Sequence, residues 1–165
     1  MTRLRLIALR HAKSAWDTDA VDDHDRPLSG RGRKEAPRVG ESLAELDWLP
    51  DHVLSSDSRR TKQTWARIQP ACAQATVVFT DALYHASGHD ALRVIRAQTP
   101  AHVHTLMVIG HNPGWEELVH LLTGRSVVMT TANAVLMERD AGTWPEALAA
   151  GTWSLVDIIR PRDLG

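Results

Sequence analysis

Two histidines lie one hundred residues apart, each at the end of an apolar run. Arg10-His11 closes Leu4-Arg5-Leu6-Ile7-Ala8-Leu9, and Gly110-His111-Asn112-Pro113 closes Leu106-Met107-Val108-Ile109. A second arginine of interest, Arg60, sits in Ser56-Asp57-Ser58-Arg59-Arg60-Thr61-Lys62-Gln63-Thr64. If these groups meet, they suit a phosphoryl group. Guanidinium forks match its oxygens in bidentate geometry better than ammonium groups can. At ~4 Å and an effective dielectric of ~20, each unit charge pair is worth about 4 kcal/mol before desolvation. Arginines alone cleave no bond, so a nucleophile is needed. A neutral imidazole can attack phosphorus through one ring nitrogen when the other is held as a donor, giving a phosphohistidine that water then opens. His11, directly after its strand and flanked by the charge of Arg10, is the expected nucleophile. His111 stands just before a helix start, where free backbone N–H groups and the dipole attract an anion, and is the expected phosphate binder.

Taken singly, these residues have plainer readings. His11 alone would be a strand-end polar group bonded to backbone, His111 a helix-entry residue, and Arg60 a solvated helix charge. The remaining histidines raise a metal site. His85 and His89 are four apart and His102 and His104 alternate, but Ser87-Gly88 makes the first segment read as loop, and no Cys or His-Glu signature accompanies either pair. Neither a metal nor a cofactor is expected.

The elements that would carry the site follow from apolar periodicity. Strands are expected at 4–9, around Val53-Leu54, at 76–79, 106–109, 134–137 and 153–159, all read as buried. The clearest helix has Asn112 as N-cap and Pro113 at its first position, carries Trp115, Leu118, Val119 and Leu122 on one face, and stops at Gly124. Another runs from Ser29 towards Leu46, burying Val39, Leu43 and Leu46, with a kink expected at Pro37. A third follows Ser56, and a fourth covers about 90–97. This alternation predicts an α/β fold, a three-layer α/β/α sandwich with a mostly parallel sheet. The last two runs lack a helix between them, so one late strand should pair antiparallel. Segments 12–26 and 80–89 read as loops over the strand ends, where ligands of such sheets bind.

The 165 residues fit one domain, 1–165, with an ordinary 43% hydrophobic and 24% charged content. A net charge of -1 gives no electrostatic reason to expect nucleic acid or membrane partners. Cys72, the only cysteine, cannot form an internal disulfide and is expected to be buried. The apolar stretch 6–9 is too short for a signal-peptide core, which predicts cytoplasmic residence. Trp65 and Trp115 are read as core packing residues, and Trp16, in the loop after His11, as surface packing with pocket lining as the alternative.

Arg10-His11-Ala12 resembles the arginine-histidine signature of the histidine phosphatase superfamily, which includes phosphoglycerate mutases and SixA-like phosphohistidine phosphatases. The resemblance continues through Arg26-Pro27-Leu28-Ser29 with Gly32, through the segment from Ser56 to Thr64, and through Gly110-His111-Asn112-Pro113. It implies that His11 is phosphorylated and that Arg10, Arg60 and His111 form the phosphate pocket. Lys13, two residues after His11, is expected either to add positive potential near the phosphate or to be solvated. The spacing from Ser56 selects Arg60 over Arg59, which a helical turn of about 100° per residue should direct to solvent. Three positions depart from the pattern: Ala12 for glycine, Asp57 for proline and Thr61 for alanine. Where larger relatives carry a glutamate acid, Ala82-Leu83-Tyr84-His85 places His85, and Asp81 is a second candidate for proton transfer. An imidazole leaving from phosphohistidine needs less protonation than an alcohol. No segment is long enough for a large lid. The expected function is therefore hydrolysis of phosphohistidine, on a protein, or of another activated phosphate. The alternatives are a phosphatase or mutase for small phosphorylated molecules and a non-catalytic phospho-ligand binding module.

Overall fold

Alternating side chains of Thr2–Arg10 (β1) go to opposite faces, and this splits the interior in two. Leu4, Leu6 and Ala8 join one core, Ile7 and Leu9 the other. The computed structural model describes residues 1–164. Around β1 it builds a mixed sheet with His52–Ser56 (β2), Thr76–Thr80 (β3), Thr105–Gly110 (β4), Ala134–Ala141 (β5) and Ser154–Ile159 (β6), ordered β3-β2-β4-β1-β5-β6. Gly30–Glu45 (α1) and Arg59–Ile68 (α2) cover the Ile7 face. Gly88–Gln98 (α3), Gly114–Thr123 (α4) and the single turn Trp144–Ala147 (α5) cover the Leu6 face. The result is the expected three-layer α/β sandwich. Among the described residues β5 alone runs against the others, antiparallel to both β1 and β6.

Register decides what happens at the strand ends. β1 and β4 pair in parallel so that Arg10 lies opposite Gly110, and the His11 N–H adds one more bond, to Gly110 O at 3.1 Å. Both histidines therefore leave neighbouring strands at the same level. Gly110 is required there, because a Cβ would meet the Trp115 ring at 2.4 Å. The turn after His11 is backed by α1, where a Cβ on Gly32 would fall 2.2 Å from Lys13 O.

Several expectations need correction. β3 and β6 are edge strands whose residues are largely exposed, Val78, Phe79 and Val156 among them, since an edge strand has one neighbour and less cover. Leu46 lies beyond the end of α1 and is exposed, while Val39 and Leu43 are buried as expected. α3 begins at Gly88, two residues earlier than expected, because Ser87 and Asp90 form a reciprocal capping box. A one-turn helix, α5, does lie between the last two strands. The N-cap of α4 is Pro113 rather than Asn112: the Asn112 amide donates instead to Met129 O at 2.8 Å, across to the segment before β5. Gly124 closes α4 in the left-handed conformation, as its type requires. Cys72 is buried. No helix among the described residues is long and apolar enough to cross a membrane.

Candidate active site

The carboxyl ends of β2, β4 and β1 stand side by side and deliver Ser56, His111 and His11. The two imidazoles have ring centroids 5.2 Å apart, close to one strand spacing. Arg10 ends β1, and Arg60, on the first turn of α2, swings its side chain to the same place. Ser58 caps α2 and puts the two arginines of the pair on different faces: Arg60 is buried and Arg59 exposed, as spacing required. A cavity of about 230 Å³ opens here, with Arg10, His11, Lys13, Arg60, His85 and His111 in its wall. Asp81, at the start of a short 3-10 helix, is exposed and is not part of that wall.

His11 is 7% exposed, and its Nδ1 lies 2.7 Å from Ala12 O. A carbonyl can only accept, so Nδ1 carries the proton and Nε2 keeps a free lone pair. Among the described residues Nε2 has no hydrogen-bond partner, and it is not sealed from solvent. Burial pushes the imidazole down to about 3, with Arg60, Arg10 and Arg26 adding to the effect and the Ala12 carbonyl opposing it. Burial also drives His111 down to about 2, helped by His11 and Arg60. Both rings are neutral near pH 7. Ala12 itself is held by Thr64, whose Oγ1 accepts from the Ala12 N–H at 3.0 Å. Thus Ala12, in the usual glycine place, fits without disturbing the turn.

The arginines differ in what holds them. Arg10 donates from Nη1 to Met129 O at 2.9 Å, and its Nε is buried without a partner. A buried, unpaired charged donor is costly unless a ligand meets it. Arg60 donates from Nη1 to Asp23 O at 2.8 Å and from Nη2 to Asp23 Oδ2 at 3.0 Å and His111 Nδ1 at 3.2 Å. Of its five N–H donors, one on Nη1 and that on Nε remain for an anion. The wall is strongly basic, so the cavity can receive a tetrahedral anion beside a free imidazole nitrogen.

Some residues here carry no signal in their spacing. Asp23 meets Arg60, Arg26, Tyr84 and His85 with one carboxylate. Arg26 belongs to a motif noted in the sequence, but its role is visible only in space: it donates to Ser14 Oγ and Ala15 O and stacks its guanidinium 3.4 Å from the Trp16 ring centroid. Trp16 is 78% exposed and lines the cavity, so of its two readings the pocket-lining one holds. Trp65 and Trp115 are buried in the two cores.

The family model of the histidine phosphatase superfamily (branch 1) matches residues 6–87. An uncharacterised chloroplastic protein of Arabidopsis thaliana is 37% identical over 169 residues, spanning 95% of this chain and 78% of its own length. An uncharacterised protein of Mycobacterium tuberculosis is 32% identical, over 90% of this chain and 92% of its own. Among solved structures, SixA from Agrobacterium tumefaciens, described as a candidate phosphohistidine phosphatase, superposes with a TM-score of 0.81 at 29% identity, covering 96% of this chain and 98% of its own.

Proposed function

Because this chain belongs to the histidine phosphatase superfamily, we propose that it hydrolyses a phosphorylated substrate through a phosphohistidine on His11. We further propose that the substrate is phosphohistidine carried on a protein, or another activated phosphate. The observation that carries this reading is the His11 Nδ1 bond to Ala12 O, which leaves Nε2 free in a cavity walled by Arg10 and Arg60. In the first step the Nε2 lone pair bonds to phosphorus, and the bond to the leaving group breaks with its electron pair going to that group. In the second, water bonds to phosphorus and the pair of the P–N bond returns to His11.

Arg10 and Arg60 hold the non-bridging oxygens, whose charge grows and spreads in transfer. His111 lines the same cavity and keeps Arg60 in place, accepting from it at Nδ1 while its Nε2–H goes to Ser56, and Lys13 adds charge at the mouth. His85, in the cavity wall, is the candidate proton donor rather than Asp81, which is exposed and outside that wall. Two short segments, 11–28 and 81–87, border the cavity, which favours a phosphorylated side chain presented on a protein over an enclosed metabolite.

The experiment is a turnover panel of a phosphohistidine peptide, phosphotyrosine, an aryl phosphate and a sugar phosphate, with acid-quenched trapping of labelled phosphate. We expect the phosphohistidine peptide to be preferred, with acid-labile label on His11 that is lost in His11→Ala. Preference for the sugar phosphate would favour a small-molecule phosphatase, and binding with neither label nor turnover would leave a binding module.

A further inference from the structure

We propose that Asp23 is a positioning residue for catalysis, holding His85 as the imidazole that exchanges a proton with the leaving group and then with water. This rests on the phosphatase reading above and names the machinery on its leaving-group side.

Asp23 gathers more of the cavity wall than any motif residue does. Its Oδ2 accepts from Tyr84 Oη at 2.6 Å and from Arg60 Nη2 at 3.0 Å, and lies 3.2 Å from His85 Nε2. Its Oδ1 accepts from Arg26 Nη1 at 3.0 Å. The loop that carries it is pinned on both sides. Asp22 caps the turn at Asp25 N, His24 pairs with Asp57 at 2.9 Å, and Arg59 donates to Asp25 O. Asp57, the departure from the family pattern, thus serves to anchor this loop. A carboxylate so fixed imposes geometry on its partners.

His85 shows that imposition. Its φ of 54° is left-handed, a strained conformation for a non-glycine residue that persists where the surroundings dictate it. The ring stacks on Tyr84 at 4.0 Å and stands edge-to-face with His111 at 5.7 Å. With Nε2 turned to Asp23, Nδ1 is the nitrogen left for exchange, and the side chain lines the cavity. A histidine oriented by a carboxylate through one nitrogen and working through the other is a known solution for proton transfer in hydrolases.

Proton and electron counts close. In the first step His85 starts doubly protonated, with Nε2–H on Asp23; its Nδ1–H passes to the leaving atom as that atom takes the pair from phosphorus, and the ring is left neutral. In the second, Nδ1 takes a proton from the attacking water while the P–N pair returns to His11.

The test compares kcat/KM, which reports the steps up to phosphoenzyme formation and not the shared hydrolysis that follows, for phenyl phosphate, whose phenoxide leaves poorly, and for p-nitrophenyl phosphate, whose leaving group needs no proton. In Asp23→Asn, Arg60 keeps its bond to the main-chain carbonyl of residue 23, so its grip on phosphate survives. We expect a loss of about a hundredfold for phenyl phosphate and less than about threefold for p-nitrophenyl phosphate. His85→Asn should reproduce this ratio, since asparagine tolerates the left-handed backbone, and the double variant should lose no more. Circular dichroism checks that each variant is folded. Equal losses on both substrates, or none on either, would overturn the inference. Turnover surviving in His11→Ala would instead overturn the phosphatase mechanism, whatever the leaving-group ratio.

Discussion

Arg60 Nη2 approaches Nδ1 of His111 to 3.2 Å, and since a guanidinium only donates, this contact fixes the proton of His111 on Nε2. Nε2 then donates to Ser56 Oγ, 2.9 Å away. Arginine, imidazole and serine form one chain of donors that starts in the cavity and ends on β2.

That chain should be visible in solution. Nitrogen-15 NMR of the ligand-free protein is expected to report the Nε2–H tautomer for His111 and the Nδ1–H tautomer for His11. Finding the opposite for either ring would contradict the hydrogen bonds on which the site is built.

Arg60→Ala should lower kcat/KM by about a thousandfold, the scale of a transition-state arginine. Arg60→Lys should recover little, because an ammonium cannot hold Asp23, His111 and a phosphoryl oxygen at once. Full recovery by lysine would mean that charge alone, without the fork, suffices.

Stability should depend on pH through the two buried imidazoles. Burial depresses the folded values of His11 to about 3 and His111 to about 2 from 6.5, and lowers His52 as well. Below pH 6.5 the unfolded chain binds protons that the folded chain refuses, so stability is complete above that pH and falls as pH drops. Each group contributes a slope of up to about 1.4 kcal/mol per pH unit. Partial burial works to raise the Asp23 carboxyl, but hydrogen bonds from Tyr84, Arg60 and Arg26 hold it well below the usual range, so its contribution is lost only at lower pH, below ~4. Denaturant midpoints should therefore fall between pH 6 and 4, and His11→Gln should flatten the fall. A level profile there would refute the burial argument.

Gly110→Ala should destabilise the fold by about 1–3 kcal/mol, because its methyl must displace the buried Trp115 ring that packs over β4. Urea unfolding measures the cost. A neutral result would show that the indole can move aside.

Chelators should leave turnover intact, since guanidinium groups supply the positive charge. Inactivation reversed by a divalent cation would speak for a metal-assisted reaction.

Much of this site can be read from the chain because its principal groups sit at strand ends and helix starts, where periodicity breaks. His11, His111 and Arg60 each occupy such a break, and one residue of helical phase separates Arg60 from Arg59. Asp23 and Tyr84 are different. They meet across 61 positions, and nothing in an acidic loop says which carboxylate will turn inward. Thus Asp81, nearer His85 in sequence, attracts attention, while Asp23 makes the contact. Likewise the apolar run of β3 reveals a strand but not that it has one neighbour. The cap of α4 differs from the expected Asn112 because that side chain has two partners to choose from, its own helix and Met129, and sequence shows only the first.

The strand that carries His11 lies between β4 and β5, which begin at residues 105 and 134. During synthesis β1 is made early and must wait, unpaired, for both neighbours to emerge. Its closure spans loops of about a hundred residues, the kind of distant pairing that slows folding and leaves apolar strand surface open to chaperones or to aggregation. A nascent chain cut after the segment matched by the family model would carry most of the signature yet lack both flanks of its nucleophile's strand.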